Sequence, residues 1–195
     1  MSNSSQNDLV ILSTLDLLQG ILLLHPPSRS IFSREIYMNL LLDLLDSANP
    51  PKIQSHALLV LVTTLLDTPR NTRTFEEIDG LLTVTSLFKS RGTSREVKMR
   101  TLEFLYFYLM PEFPMALMHN SAPHAAGLQR GPNKMDAFER HVRTHSGDSG
   151  GGLDEGDELY TRTMEDKQKL LGEHLTNVAE LVQDLQESAP FGTVA

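Results

Sequence analysis

Apolar residues fall along this chain in runs at helical spacing, broken by proline, glycine and serine. Leu9 to Leu24 forms the first run. Asp8 is placed to cap it, and His25-Pro26-Pro27-Ser28 stops it, because proline lacks the N–H and clashes with the turn before it. A second helix is expected from Ser33, as N-cap, to Asp46, with Ile36, Leu40, Leu41, Leu44 and Leu45 at helical spacing. A third runs from Pro51 to about Asp67, and its segment 57–62 is apolar on every face, the mark of a central helix. Short helices follow at Asn71–Ile78 and Leu81–Lys89. Ser94 then caps a helix that reaches Met110 before Pro111 ends it. The aromatic stretch Phe104–Met110 would suit a strand, but the 3.6-residue pattern entering from Val97 and Leu102 is unbroken and argues for helix.

The pattern repeats. Phe32 and Phe75, Leu41 and Val84, Leu44 and Leu87, and Ser47 and Ser90 all stand 43 residues apart. In each copy a short helix leads into a Leu-rich helix, a turn, and a longer apolar helix. A period of this length is that of armadillo and HEAT units, which bury their apolar faces by stacking on neighbours. The reading is an all-α, armadillo/HEAT-like stack over residues 8–112. A loose linker over 113–158 follows, then a C-terminal helix within 159–192. Gly, His, Ser and Asp dominate the linker, whose stretch 145–152 has a flexible composition. In the terminal helix, expected from Thr163 to Gln186, the stripe Leu171, Leu175, Val178, Val182 and Leu185 spans barely two heptads. It is too short for an independent coiled coil and needs a surface to dock on.

Charge narrows the function. The net charge of −8 argues against nucleic acid as partner. The sign is uneven: Lys89, Arg91, Arg95, Lys98 and Arg100 cluster mid-chain, and acids crowd 148–166. Such asymmetry fits an intramolecular contact or a polar partner surface. The absence of cysteine removes disulfides and thiolate chemistry and favours an intracellular setting. Asp16, Gln19 and Gly20 interrupt the first run, so a buried soluble helix is expected there, with no membrane insertion.

No phosphate loop, nucleophile elbow or catalytic constellation appears, and no cofactor is implied. His141 and His145 have a zinc-compatible spacing, but the glycines beyond them argue against a rigid site. On the long repeat helices, Gln54, His56, Arg95, Lys98 and Arg100 are the candidate partner-binding residues, by analogy with helical-repeat proteins whose last helix lines the groove.

The segments 71–90 and 102–112, with the tail Lys169-Leu-Leu-Gly to Ser188-Ala-Pro-Phe191-Gly192, resemble the fungal cell division control protein fourteen family of the septation initiation network. The resemblance implies a non-enzymatic partner of a germinal-centre-type protein kinase, promoting septum formation and cytokinesis from the cytoplasm and the spindle pole body. A phosphatase shares the family's name, but its cysteine nucleophile has no counterpart here. The runner-up reading is a helical-repeat adaptor for another polypeptide. Family members carry further helical sequence ahead of the position of Asn7, so the first repeat is expected to lack a cap and to expose apolar surface. His141-x-Arg143-x-x-Ser146 resembles the substrate pattern of NDR/LATS-type kinases, which makes Ser146 a candidate phosphosite.

Overall fold

The structure, a computed structural model, describes residues 2–112 and 160–188, with side chains over 6–112 and 160–183. Every regular element among them is helical. Helix α1 spans Ser2–Leu24. It starts ahead of the expected cap, so Asp8 lies inside the helix. Pro26–Ser33 is a 3-10 stretch opened by its two prolines. Helix α2, Glu35–Asp43, begins behind Arg34, whose extended backbone makes it the N-cap in place of Ser33. The Ser33 hydroxyl donates instead to the Ser30 carbonyl. Helix α3 is Pro51–Leu65, α4 Pro69–Glu77, α5 Gly80–Lys89 and α6 Arg95–Leu109. Ser94 does cap α6, its Oγ accepting from the Val97 N–H at 3.3 Å. Between α4 and α5 the chain turns at Asp79, in the left-handed region at φ 59°. Gly80 has no room for a Cβ, which would sit 2.5 Å from the Phe75 carbonyl oxygen.

The 43-residue offset corresponds to two three-element units. The 3-10 stretch, α2 and α3 form one, and α4, α5 and α6 the other, with Pro26 and Pro69 opening them. Phe32 and Phe75 are both buried, as are Leu41 and Val84. The long helices form the spine: α1 packs on α3, and α3 on α6. Leu58, Leu61, Phe104, Leu105 and Leu109 fill the interior.

Buried polar groups fix the units against each other. Arg29 donates from Nε to the Leu22 carbonyl (3.1 Å) and from Nη1 to the Leu66 carbonyl (2.8 Å). It thereby satisfies groups at the C-terminal ends of α1 and α3 that no helical N–H can reach. Asn71, fully buried, donates to the carbonyls of Arg29 and Thr64, both at 2.8 Å.

Two expectations change. The first run is not a buried helix: of its described side chains, Leu15 and Leu22 are the buried ones, because α3 covers one side of it. Leu9, Val10, Leu17, Ile21 and Leu24 face outward. Residues 6–24 have the length and apolarity to cross a membrane, with a mean hydropathy of 1.5. The C-terminal segment is two helices rather than one, α7 Met164–Gly172 and α8 Val178–Ser188. Turns at residues 173–177 separate them, where Gly172, Thr176 and Asn177 are poor helix formers. Both helices pack on α6, and Leu171, Leu175, Val178, Leu181 and Val182 join the same core as the repeat helices.

Candidate functional site

Where the C-terminal segment meets the stack, charges are buried with the apolar side chains. Arg73 on α4 reaches Glu76 Oε1 at 3.2 Å and Glu112 Oε1 at 2.7 Å. The Tyr108 hydroxyl donates to Glu76 Oε1 at 2.7 Å. From across the sequence gap, Arg162 pairs with Glu76 Oε2 at 3.1 Å and donates its backbone N–H to Glu112 Oε2 at 2.9 Å. Lys167, 2% exposed, lies 3.4 Å from Glu112 and donates to the Met110 carbonyl, an orphan at the end of α6. Its Nζ also lies 5.3 Å from the centre of the Tyr108 ring. Arg70 stands over Tyr160 at 5.8 Å, and Lys89 donates to the His174 carbonyl.

Burial dominates the electrostatics of this cluster. It lifts the Glu76 carboxyl above the ordinary carboxylate range, although Arg73, Tyr108 and Arg162 pull the other way. It raises the Tyr108 phenol, with the Glu76 charge adding to the effect. It lowers the Lys167 ammonium against the pull of Glu112. Each of these groups is held by a neighbour of opposite kind. A cleft of about 220 Å³ opens beside them, lined largely by apolar side chains such as Leu65, Pro69, Phe107 and Met110. Its Lys167 and Glu112 are already paired with each other. Catalysis needs a nucleophile and a base free to act on a reacting atom, and this cluster instead joins two parts of the chain.

Sequence reasoning missed the cluster. Its members lie up to about ninety residues apart, and helical periodicity carries no trace of their pairing. The only signal was that Arg73, Glu76, Tyr108 and Glu112 all fall within or beside the segments that carry the family resemblance. The polarity of the contact also reverses the one charge asymmetry suggested: bases of the C-terminal segment meet acids of the stack. The acidic Asp166 is occupied at the N-terminus of α7, where its N–H donates to the capping Thr163 Oγ1.

The expected partner-binding residues do not form one face. Gln54 is buried, and its amide donates to the Asp46 carbonyl at 2.7 Å and the Leu45 carbonyl at 3.3 Å, so it closes the end of α2 and is withdrawn as a contact residue. His56 is partly exposed and reaches back to Asp16 on α1 at 3.5 Å. Arg95, Lys98 and Arg100 do share the N-terminal half of α6, at the surface. Arg95 is exposed, Lys98 half-buried, and Arg100 pairs with Glu103 at 2.8 Å. Exposed Arg91 adjoins them in the preceding turn. Leu171, Leu175, Val178 and Val182 are buried in the core. The Leu185 side chain, Ser146, His141 and His145 lie outside the described residues. Among the described residues no group of three or more His, Asp or Glu side chains is placed to hold a metal.

Residues 1–191 match the family model described as Cell division control protein 14, SIN component. Cell division control protein 14 of Schizosaccharomyces pombe is 29% identical over 178 residues, which cover 91% of this chain and 58% of that relative. The chain therefore spans less than two thirds of the length of the curated relative it matches. No solved structure matches.

Proposed function

This chain belongs to the Cell division control protein 14 family, the septation initiation network component rather than the phosphatase of that name, and on that premise we propose that it is a non-enzymatic scaffold for a germinal-centre-type protein kinase. Membership supports a role in septation initiation. The kinase, the scaffold role, the armadillo-like character of the stack, and action in the cytoplasm and at the spindle pole body belong to the proposal.

The observation that carries it is the basic edge at the start of α6. Arg95, Lys98 and Arg100 stand at or near the surface of α6, with Arg91 in the turn before it, and Arg100 is paired with an acid. Cations held on a helix and backed by a packed core suit recognition of an acidic protein surface, giving on-rate and specificity. The buried cluster at the C-terminal segment holds the far end of that helix, since Lys167 donates to the Met110 carbonyl there and pairs with Glu112 just beyond it.

The test is co-purification of the kinase with the full chain and with an Arg95→Glu/Lys98→Glu variant, after thermal melts show that both fold alike. Loss of the kinase from the variant at ordinary salt is the expected result. Retention of full binding makes the basic edge a solvated surface and removes the basis of this reading.

A further inference from the structure

The basic edge of α6 begins in a short turn that carries its own acceptor hydroxyl. We propose that Ser94 is a phosphorylation site for a protein kinase that selects arginine three residues ahead of the acceptor, and that the phosphate then locks onto the edge and cancels its charge. Both halves stand without the kinase-scaffold reading; only the consequence for an acidic partner rests on it.

The structure selects Ser94 from the candidates in the sequence. A Lys or Arg three positions before a Ser or Thr occurs three times among the described residues: Lys52 before Ser55, Arg91 before Ser94 and Lys98 before Thr101. Ser55 and Thr101 lie inside α3 and α6 at 3% and 0% exposure. A kinase reaches neither without unfolding a core helix. Ser94 is half-buried, in the turn 90–94 that joins α5 to α6, and its backbone is extended at φ −62° and ψ 155°. Ser90, at the other end of the turn, is extended as well. A short loop held by packed helices is where a chain offers residues to other proteins. Lys89 stands five residues ahead of Ser94, but it donates to the His174 carbonyl, so selection rests on exposed Arg91. Charge placed in this way ahead of the acceptor is how kinases discriminate among substrates.

The contact that has to yield is small. Ser94 Oγ accepts from the Val97 N–H at 3.3 Å, beyond the usual N–H···O range. Helix ends of this kind fray. In the transfer, Ser94 Oγ attacks the γ-phosphorus of ATP and the bond to the β–γ bridging oxygen breaks. ADP leaves, and the hydroxyl proton passes to the base of the modifying kinase. The phosphoryl oxygens then stand at the N-terminus of α6, where backbone N–H groups and the helix dipole favour an anion. The cap is replaced rather than lost.

The charge change matches the edge. Arg91, Arg95 and Lys98 surround the turn, Glu96 offsets them in part, and Arg100 is already paired with Glu103. A phosphoserine adds about −1.5 to −2, which brings this surface close to neutral. An acidic partner would then lose the cations that recognise it.

The experiment treats the native full chain with the purified catalytic subunit of an arginine-directed kinase and Mg-ATP, and maps the product by mass spectrometry. Ser94 should be labelled, and Arg91→Ala should slow that labelling at least tenfold without changing the melting temperature. Phosphorus NMR of the product should place the second ionisation of the phosphate below its ordinary value near 6. Arg95→Ala/Lys98→Ala should return it toward that value. No label on Ser94, label there only after heat denaturation, or labelling indifferent to Arg91→Ala overturns the site. A phosphate that titrates at the ordinary value overturns the locking. Failure of the germinal-centre-type kinase to co-purify with the unmodified chain removes the scaffold reading and leaves both of these readouts in force.

Discussion

The long helices α1, α3 and α6 give this molecule two ends, and the ends are finished in opposite ways. At α6 the chain returns across residues 113–159 and covers its own apolar surface with α7 and α8, adding Arg162 and Lys167 to the acids Glu76 and Glu112. At α1 nothing among the described residues covers the outer face, which carries apolar side chains and satisfied hydroxyls and no charge. Both surfaces come from Leu-rich helices of similar pattern. What separates them is long-range pairing: a buried charge is tolerable only where its partner is also delivered, and the C-terminal segment delivers one.

The largest expected effect is therefore at the closed end. Removing residues 160–195 takes away five buried aliphatic side chains worth roughly 1.5–3 kcal/mol each at most, and it leaves Arg73 as the one cation of the cluster beside Glu76 and Glu112. Against a domain stability of about 5–15 kcal/mol, the shortened chain should lose its cooperative thermal transition by circular dichroism. An unchanged melt would mean that this end is not closed by its own chain. Glu112→Ala comes next. It leaves Lys167 and Arg73 short of a partner in a buried setting, at a cost of about 3–5 kcal/mol in denaturant unfolding.

Single apolar truncations sharpen the comparison. Leu171→Ala should cost about 2–5 kcal/mol, while Leu17→Ala, on the open face, should leave the stability of the monomer within about 0.5 kcal/mol. Equal losses would erase the distinction between the ends. The smallest effect is one of pH. Burial raises the Glu76 carboxyl, so the folded chain holds that proton more tightly than the unfolded chain does. Stability contributed by Glu76 is therefore fully present below the ordinary carboxylate value and falls as pH rises through the raised one. The stability of the native chain relative to Glu76→Gln should decline as pH rises above the ordinary carboxylate value. A rising difference would place the Glu76 shift in the other direction.

Much of this architecture was legible in the residues. Pro26 and Pro27 stopped the first helix, Phe32 and Phe75 fell at the stated offset and are both buried, Ser94 capped the helix it precedes, and the all-apolar segment 57–62 marked α3 as central. Local rules govern each of these. What failed was settled by contacts between distant residues. Gln54 looks like a surface residue beside Ser55 and His56, yet the carbonyls of Leu45 and Asp46 converge on its amide and bury it. An apolar run interrupted only at a few positions such as Asp16, Gln19 and Gly20 could not reveal that α3 would cover α1 on one side only. The step pattern from Leu171 to Val182 continues through a break between two helices, because Leu175 turns into the core where the first one stops. The contact cluster at Arg73 and Glu112 had no periodic signature at all.

The kinase reading places the partner at neither end but on the basic edge that α6 presents between them. Hydrogen exchange with mass spectrometry on the full chain, alone and with the germinal-centre-type kinase bound, tests this most directly. The account predicts new protection over residues 89–100, with the amides of α7 already slow in the free chain and those of α1 unchanged by the kinase. Protection confined to α1 or to α7 and α8, with residues 89–100 unaffected, would contradict it.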